Sequence, residues 1–362
     1  MTPIPRVARA PLTSKQPEAC PYCGNRNLTR RGTRKKKLEI VQLWRCASCK
    51  RVFTPGPAAL RNKTYPLRVI LAALSDYDIG YSLEETARRL KKKTNRSVSP
   101  STITAWLEQY RQHCSYRRLR PEGLRYFPAN QTIRSIKLYH RQVYGYAYHR
   151  PNSQFLRRGT LDDKRTGDIH FAALADFLES VSTNCPHDLF RRDDDPKARA
   201  SQAKPDFADV SRIIVNRKQN AATDAAALII PAVGNNKLRH ETLQHFMLAN
   251  DSITVAIEIP IWLREHDVKA LEWEHGIELA ARDDGTPRVI TGHIDFLQVR
   301  NGAVHILDYK PDAHTNTPVA QLAIYALALT RLVPGLRLFD IKCAWFNEHE
   351  YCEFFRRTLF KH

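Results

Sequence analysis

Gly292-His293-Ile294-Asp295-Phe296-Leu297-Gln298-Val299-Arg300, then Asn301-Gly302, then Ala303-Val304-His305-Ile306-Leu307-Asp308-Tyr309-Lys310 reads as one β-hairpin. Two alternating apolar runs flank the dipeptide that most strongly favours a two-residue type I′ turn. In that register residues whose numbers add to 603 face each other, which sets Asp295 opposite Asp308 and His293 opposite Lys310. Strand side chains alternate between faces, so Asp295, Asp308 and Lys310 share one face. Leu297, Val299, Val304 and Ile306 lie on the turn side of that face, which is apolar near the turn and charged at the far end. Facing Cβ atoms lie about 4.5–5.5 Å apart, and like charges placed opposite destabilise the pair. A fold that keeps two carboxylates there needs a cation between them, and an ammonium beside them polarises an attacked group or an attacking water. This is the layout of a metal-dependent phosphodiesterase site. The alternative is a solvated strand end with two unpaired acids, but a random hairpin seldom registers Asp opposite Asp with Lys next on the same face.

The stretches Gly292-His293-Ile294-Asp295 and Ile306-Leu307-Asp308-Tyr309-Lys310 resemble the core of PD-(D/E)XK nucleases, in particular the RecB-type subfamily. That subfamily carries a Gln and a Tyr four apart on the next helix, matched here by Gln321 and Tyr325. Thr317 as N-cap, Pro318 at N1 and Pro334-Gly335 at the end delimit that helix, which puts both residues on one face. Ordinary amphipathicity also yields such a pair; its position after Asp-x-Lys makes it specific. Upstream, the family has a His on a helix and an acid on the strand preceding the hairpin. Gly234-Asn235-Asn236 caps a helix through Leu248 in which His240 shares the inward Leu243–Met247 stripe, either as a metal ligand or as a core or surface histidine; His245 falls on the other side. Glu258 interrupts the alternating Ile253, Val255, Ile257, Ile259 and Ile261 and points either to the site or to water. The resemblance spans about residues 234–345 and implies hydrolysis. Asp295 and Asp308, with a backbone carbonyl near Tyr309 and His240, would hold Mg²⁺ or Mn²⁺, and Lys310 would orient the nucleophile and stabilise the transition state. No Ser-His-Asp or Cys-His arrangement competes.

The amino-terminal third carries a different signal. Cys20-Pro21-Tyr22-Cys23 and Cys46-Ala47-Ser48-Cys49 are two C-x₂-C knuckles 22 residues apart, the spacing of a closed structural Zn²⁺ site; a labile iron or redox site is the alternative. Arg34, Lys35, Lys36 and Lys37 lie on a basic hairpin or loop between them. This layout resembles the zinc ribbons at the front of many insertion-sequence transposases. A helix-turn-helix pattern follows: Leu67–Tyr77, a helix from the capping box Ser82-Leu83-Glu84-Glu85 to about Lys92, and Thr102–Arg111 capped by Ser99-Pro100-Ser101-Thr102. Ser101, Thr102 and Thr104 would contact bases, and Lys91, Lys92, Lys93 and Arg96 the phosphates, if the third helix is a recognition helix. A plain three-helix bundle is the alternative.

Charge bears on that choice. The chain has 57 Lys and Arg against 37 Asp and Glu; residues 1–125 hold 27 of these basic and 8 of these acidic residues, a net of +19, and the rest a net of +1. Positive charge concentrated on these two modules is the footprint of a polyphosphate partner, DNA. Cys114, Cys185, Cys343 and Cys352 lack the grouped spacing of iron–sulfur RecB-type nucleases and read as ordinary cysteines. Residues 126–230 show no DDE-type acidic triad, no run of 18 apolar residues occurs in the sequence, and Met1–Lys15 lacks the apolar core of a secretory signal. The expectation is a cytoplasmic, nucleoid-associated, α/β (α+β) multidomain protein with no membrane partner. It comprises a zinc ribbon (1–58), a helix-turn-helix domain (59–125), a connector of unclear fold (126–230) and a RecB-like nuclease domain with a restriction-endonuclease-like mixed sheet (231–362). Within 126–230, Ile136–Tyr148 reads as strand or mixed, Phe171–Val181 as helix and Arg191–Pro205 as loop. The expected function is a divalent-metal-dependent deoxyribonuclease tied to a mobile element, recombination or defence, with a transposase or recombination protein as a further partner. A sequence-specific DNA-binding regulator with an inactive nuclease-like domain is the alternative.

Overall fold

A computed structural model describes residues 16–35, 40–54, 64–158, 171–191, 199–202, 215–230, 233, 236–276, 278–279, 289–311, 313 and 317–354. Lys36, Lys37, the side chain of Lys35, the cap residues Gly234 and Asn235, and most of Arg191–Pro205 lie outside the described residues.

The architecture is mixed α/β. A small antiparallel sheet of β1 (Leu28–Lys35), β2 (Ile40–Cys46) and β3 (Val52–Phe53) carries the four cysteines. Helices α1 (Leu67–Asp78), α2 (Leu83–Thr94), α3 (Pro100–Gln109) and α4 (Arg120–Tyr126) follow. Ser82 Oγ accepts from the Glu85 N–H at 3.1 Å and Ser99 Oγ from the Thr102 N–H at 3.2 Å, so the two caps fall where hydroxyls can satisfy orphan N–H groups. Because Ser99 is the cap and Pro100 opens the helix, α3 starts two residues earlier than expected.

An eight-stranded sheet forms the body. Its strands are β4 (Ile133–His140), β5 (Gln142–His149), β6 (Val215–Lys218), β7 (Thr254–Leu263), β8 (Ile290–Arg300), β9 (Ala303–Tyr309), β10 (Ile341–Phe346) and β11 (Tyr351–Phe354), in the order β4-β5-β7-β8-β9-β10-β11-β6. Its other helices are α5 (Arg150–Arg158), α6 (Ala172–Asn184), α7 (Ala221–Ile229), α8 (Asn236–Asn250), α9 (Glu265–His275) and α10 (Val319–Leu332). Every neighbouring pair is antiparallel except β9 with β10, and α10 is the crossover that such a parallel pair requires. Pro318 sits at the N-cap of α10 and Val319 opens it, one residue later than expected for Thr317. Residues 126–230 supply both edges of the sheet, β4–β5 and β6.

Hairpin β8–β9 sits at the centre with the expected register, Arg300 opposite Ala303 through Phe296 opposite Leu307. Asn301 (φ 51°) and Gly302 (φ 67°) both take the left-handed conformation that a type I′ turn requires. Leu297, Val304 and Ile306 pack with Leu322, Ile324 and Leu329 of α10 on one face. On the other, Phe296, Leu307 and Tyr309 pack with Phe246 and Met247 of α8.

That second core has no boundary at the helical unit. Ile70 and Leu74 of α1, Leu90 of α2 and Ile103 of α3 are fully buried in the same cluster. Asn250 Nδ2 reaches Ser75 Oγ at 2.8 Å, and the Arg120 guanidinium donates to the Tyr77, Gly80 and Tyr81 carbonyls at 2.8–3.1 Å, closing the end of α1 from α4. Helix α4 runs across residue 125, where the charge count suggests a boundary. A chain starting at residue 64 should therefore keep a thermal midpoint close to that of the whole chain. One starting at residue 127 uncovers α8 and should lose its cooperative transition, because several fully buried apolar side chains contribute about 1.5–3 kcal/mol each. Equal, cooperative melts for both would show that the helices stand apart from the sheet.

Candidate metal and active centre

Helix α8 and strands β7, β8 and β9 converge at the end of the hairpin away from its turn. The strict alternation of β8 breaks there: Ile294 packs with the α10 face and Phe296 with the α8 face, and the β8–β9 pairing stops at Phe296–Leu307. Across from this break Glu258 takes φ 52°, a left-handed value that costs a non-glycine residue about 1 kcal/mol or more in mid-strand. Its side chain leaves the plane of the strand and meets His240 and Asp295; ligand atoms of these three all lie within 4.8 Å of one another. The acid that could face site or water faces the site.

His240 Nε2 is 3.0 Å from Asp295 Oδ2, which also accepts from the Tyr309 N–H at 3.2 Å. Asp308 is 3% exposed and hydrogen-bonds the Asp295 carboxyl, while Lys310 Nζ lies 2.9 Å from Asp308 Oδ2. So Asp295, Asp308, Lys310, His240 and Glu258 come together, although the two aspartates meet by side-chain contact beyond the last ladder pair rather than as a paired rung. The Lys310 N–H donates to the Phe346 carbonyl at 2.9 Å, so β10 fixes the chain at the lysine.

Gln321 and Tyr325 face the same end from α10. Gln321 Nε2 donates to Tyr325 Oη at 2.7 Å, and Tyr325 also hydrogen-bonds the His293 backbone. The ring lies over Gly292, where a Cβ would sit 2.6 Å from Tyr325 Cε1. Sequence reasoning missed Gln244, whose Nε2 donates to Glu258 Oε1 at 2.7 Å and the Asp295 carbonyl at 3.2 Å. Its signal is its place one turn after His240 on the same helical face.

The electrostatics follow from burial. Desolvation opposes the Asp295 carboxylate, but the His240 charge beside it prevails and holds Asp295 well below the usual carboxylate range. Burial and then the Asp295 charge push Asp308 well up, so without a cation one member of the pair ionises and the other keeps its proton. Burial and Asp295 likewise raise Glu258 to about 7. His240, though desolvated, is raised to about 9 by Asp295. Asp308 Oδ2 and His240 Nε2 are buried beside opposite charges without an aligned hydrogen bond. Carboxylate oxygens with one imidazole, partly held by protons, fit a hard divalent cation.

The family model for the PD-(D/E)XK nuclease superfamily matches residues 97–350. The chain belongs to the PD-(D/E)XK nuclease superfamily. Comparison with curated proteins and with solved structures returns no match. The nuclease match begins at the cap of α3, well before the 234–345 that the motifs delimit, and includes the strands of 126–230.

The second centre is the small sheet. Cys20, Cys23, Cys46 and Cys49 Sγ atoms lie within 4.8 Å of one another, with Cys20–Cys49 at 3.6 Å and Cys23–Cys46 at 3.5 Å. A zinc tetrahedron with 2.3 Å bonds has edges of about 3.8 Å. Burial works against the Cys20 thiolate, but N–H groups of Tyr22 and Cys23 aimed at the sulfur lower its pKa to about 7. The cluster is a four-thiol donor set suited to structural zinc.

Of the basic and polar residues read as DNA contacts, Arg34, Lys91, Lys92, Arg96, Ser101 and Thr104 are exposed. Lys93 is tied to the buried Asp76 at 3.0 Å, the Thr102 and Ser101 hydroxyls lie 2.8 and 3.0 Å from Ser99 Oγ at the cap, and the Thr104 hydroxyl donates to the Pro100 carbonyl at 3.1 Å, so all four have internal partners. Among the described residues no helix is long and apolar enough to cross a membrane.

Two outcomes follow from this geometry. A cation at the carboxylates must displace the proton on Glu258 below about pH 7 and that on His240 up to about pH 9. Apparent Mn²⁺ affinity, read by calorimetry, should therefore climb from pH 6 to pH 9 with proton release on binding; an affinity that is flat or falls over this range contradicts the arrangement. Gly292→Ala should lower stability by about 1–3 kcal/mol, because the added Cβ collides with a buried ring. Denaturant melts check this, and an unchanged midpoint would mean that Tyr325 moves freely.

Proposed function

We propose that the protein is a divalent-metal-dependent deoxyribonuclease of RecB type that cleaves DNA held by its amino-terminal modules. The observation that carries this reading is the convergence of Asp295, Asp308, Glu258, His240 and Lys310 at one sheet end in a PD-(D/E)XK chain. Asp295, Glu258, His240 and Asp308 would hold Mg²⁺ or Mn²⁺. When bound, the ion supplies Lewis-acid charge and a more acidic water. Lys310, anchored on Asp308, is placed to orient a water against phosphorus and to offset negative charge as the water oxygen bonds to phosphorus and the bond to the leaving sugar oxygen breaks. Gln244 holds Glu258 in its left-handed turn toward the site. Gln321 and Tyr325 set the position of β8 through His293.

Recognition is assigned to the front. The four-cysteine cluster would hold structural Zn²⁺, and Arg34, Lys91, Lys92 and Arg96 would bind phosphates. Ser101 and Thr104 on the exposed start of α3 would meet base edges in a helix-turn-helix arrangement. A ribbon of this kind ahead of a nuclease supports a mobile-element, recombination or defence setting.

The test is a metal-titrated cleavage assay on supercoiled, linear and single-stranded DNA. Asp308→Ala should abolish cleavage and keep DNA binding, with stability level or higher in the absence of metal, since a buried, repelled acid is removed. Lys310→Ala should lose cleavage while retaining metal binding. Activity that survives both substitutions would place the active site elsewhere. A parent protein silent with every divalent metal would leave a DNA-binding regulator.

A further inference from the structure

A second group of ligand-type side chains lies on the other flank of β8, outside the carboxylate centre. His140 ends β4, Cys185 caps α6, and His187 opens the short turn His187–Phe190. A sulfur and two ring nitrogens from these three residues all lie within 4.8 Å of one another. His140 Nε2 faces His187 Nδ1 at 2.8 Å, and the other nitrogen, Nδ1, faces His293 Nε2 at 2.9 Å. His140 is 2% exposed and Cys185 5%. Phe190 stacks on the His140 ring at 4.1 Å between centroids and Tyr144 on the His293 ring at 3.6 Å, so both rings are clamped. The proposed nuclease chemistry uses none of His140, Cys185 and His187.

Burial, then His187 and Arg191, hold His140 down to about 4, so its imidazole is neutral, the form that ligates metal. A neutral ring that binds through Nε2 carries its proton on Nδ1, where His293 Nε2 is placed to accept it. Ligating histidines are generally oriented by such a partner. Two nitrogens on a tetrahedral zinc ion, with bonds of 2.0–2.1 Å, lie about 3.3–3.4 Å apart. The observed pair needs to part by only about half an ångström to admit the ion. One thiolate and two imidazoles favour zinc over the hard cations suited to the carboxylates.

We propose that His140, Cys185 and His187 bind a zinc ion, separate from the four-cysteine cluster and from the carboxylate centre. The ion ties the edge hairpin β4–β5 to the end of α6 and, through His140, steadies His293 two residues before Asp295. Cys185 gives up its thiol proton to solvent on binding. Half-buried His187 leaves the fourth position on the solvent side, where water completes the tetrahedron.

The experiment is elemental analysis of the full chain after dialysis against excess Mg²⁺. With the four-cysteine cluster filled, the parent should hold two zinc ions per chain, His187→Gln one, Cys46→Ser one, and the double variant none. His187 is half-exposed, so its replacement should leave the fold intact. If it does not, Co²⁺ loading of Cys46→Ser decides: it should give the charge-transfer absorption of a single-thiolate site, lost on adding Cys185→Ser. Equal zinc in parent and His187→Gln, or a Cys46→Ser chain that takes up no Co²⁺ with thiolate absorption, would overturn the proposal.

Discussion

Two carboxyl groups buried side by side cannot both carry charge without a compensating cation, and the carboxylate centre is organised around this constraint. Asp295 takes the charge because His240 lies against it, Asp308 keeps a proton, and Lys310 lies over the protonated member. Glu258 adds a third acid by leaving its strand in a left-handed conformation, and Gln244 holds it there. The same crowding makes this region poor as a core and ready for an ion. Repulsion that lowers the stability of the ion-free chain is relieved by whatever neutralises the acids.

The centre of the fold was legible because its information is local. Asn301-Gly302 sets a turn, the turn sets a register, and the register carries through to Phe296 and Leu307. Helix starts were readable at Ser82 and, to within two residues, at Ser99, where a hydroxyl has one obvious N–H to satisfy. Legibility ended where side chains answer to distant partners. Nothing near Glu258 announces a positive φ, since isoleucines on both sides argue for a regular strand. Asp295 turns toward His240 and the Tyr309 amide, which lies 14 residues away. The strands of 126–230 were hard to read because they join the sheet at its edges, where burial is partial and the alternation blurred, as in the mixed pattern of Ile133–His140. His140, Cys185 and His187 belong to no spacing motif; packing alone brings them together.

Reading the chain as beads on a string misplaces one element. The first three helices are not an appendage, since Ile70, Leu74 and Ile103 share a core with Phe296 and Leu307 of the central hairpin. The α3 surface proposed to meet DNA is thus one packed layer from the strands that bear Asp295 and Asp308. Under the proposed function, such a layer would hold the distance between the DNA-binding surface and the carboxylate centre constant, which a flexible tether cannot do. The small cysteine-bearing sheet has its own core of Leu28, Trp44 and Phe53 and is the more independent piece.

The strand order also bears on how the chain is made. Both sheet edges, β4–β5 and β6, precede the central β7, β8, β9 and β10 in the chain. During synthesis the borders therefore emerge before there is an interior to border. At about 5–20 residues per second the wait is roughly ten seconds or more. Over that interval the β4–β5 pair can close on itself as a hairpin, whereas β6, four residues long with mostly exposed positions, is too short and polar to recruit a wrong neighbour. Brevity at the last edge thus guards the nascent chain against mispairing until Tyr351–Phe354 arrives to receive it.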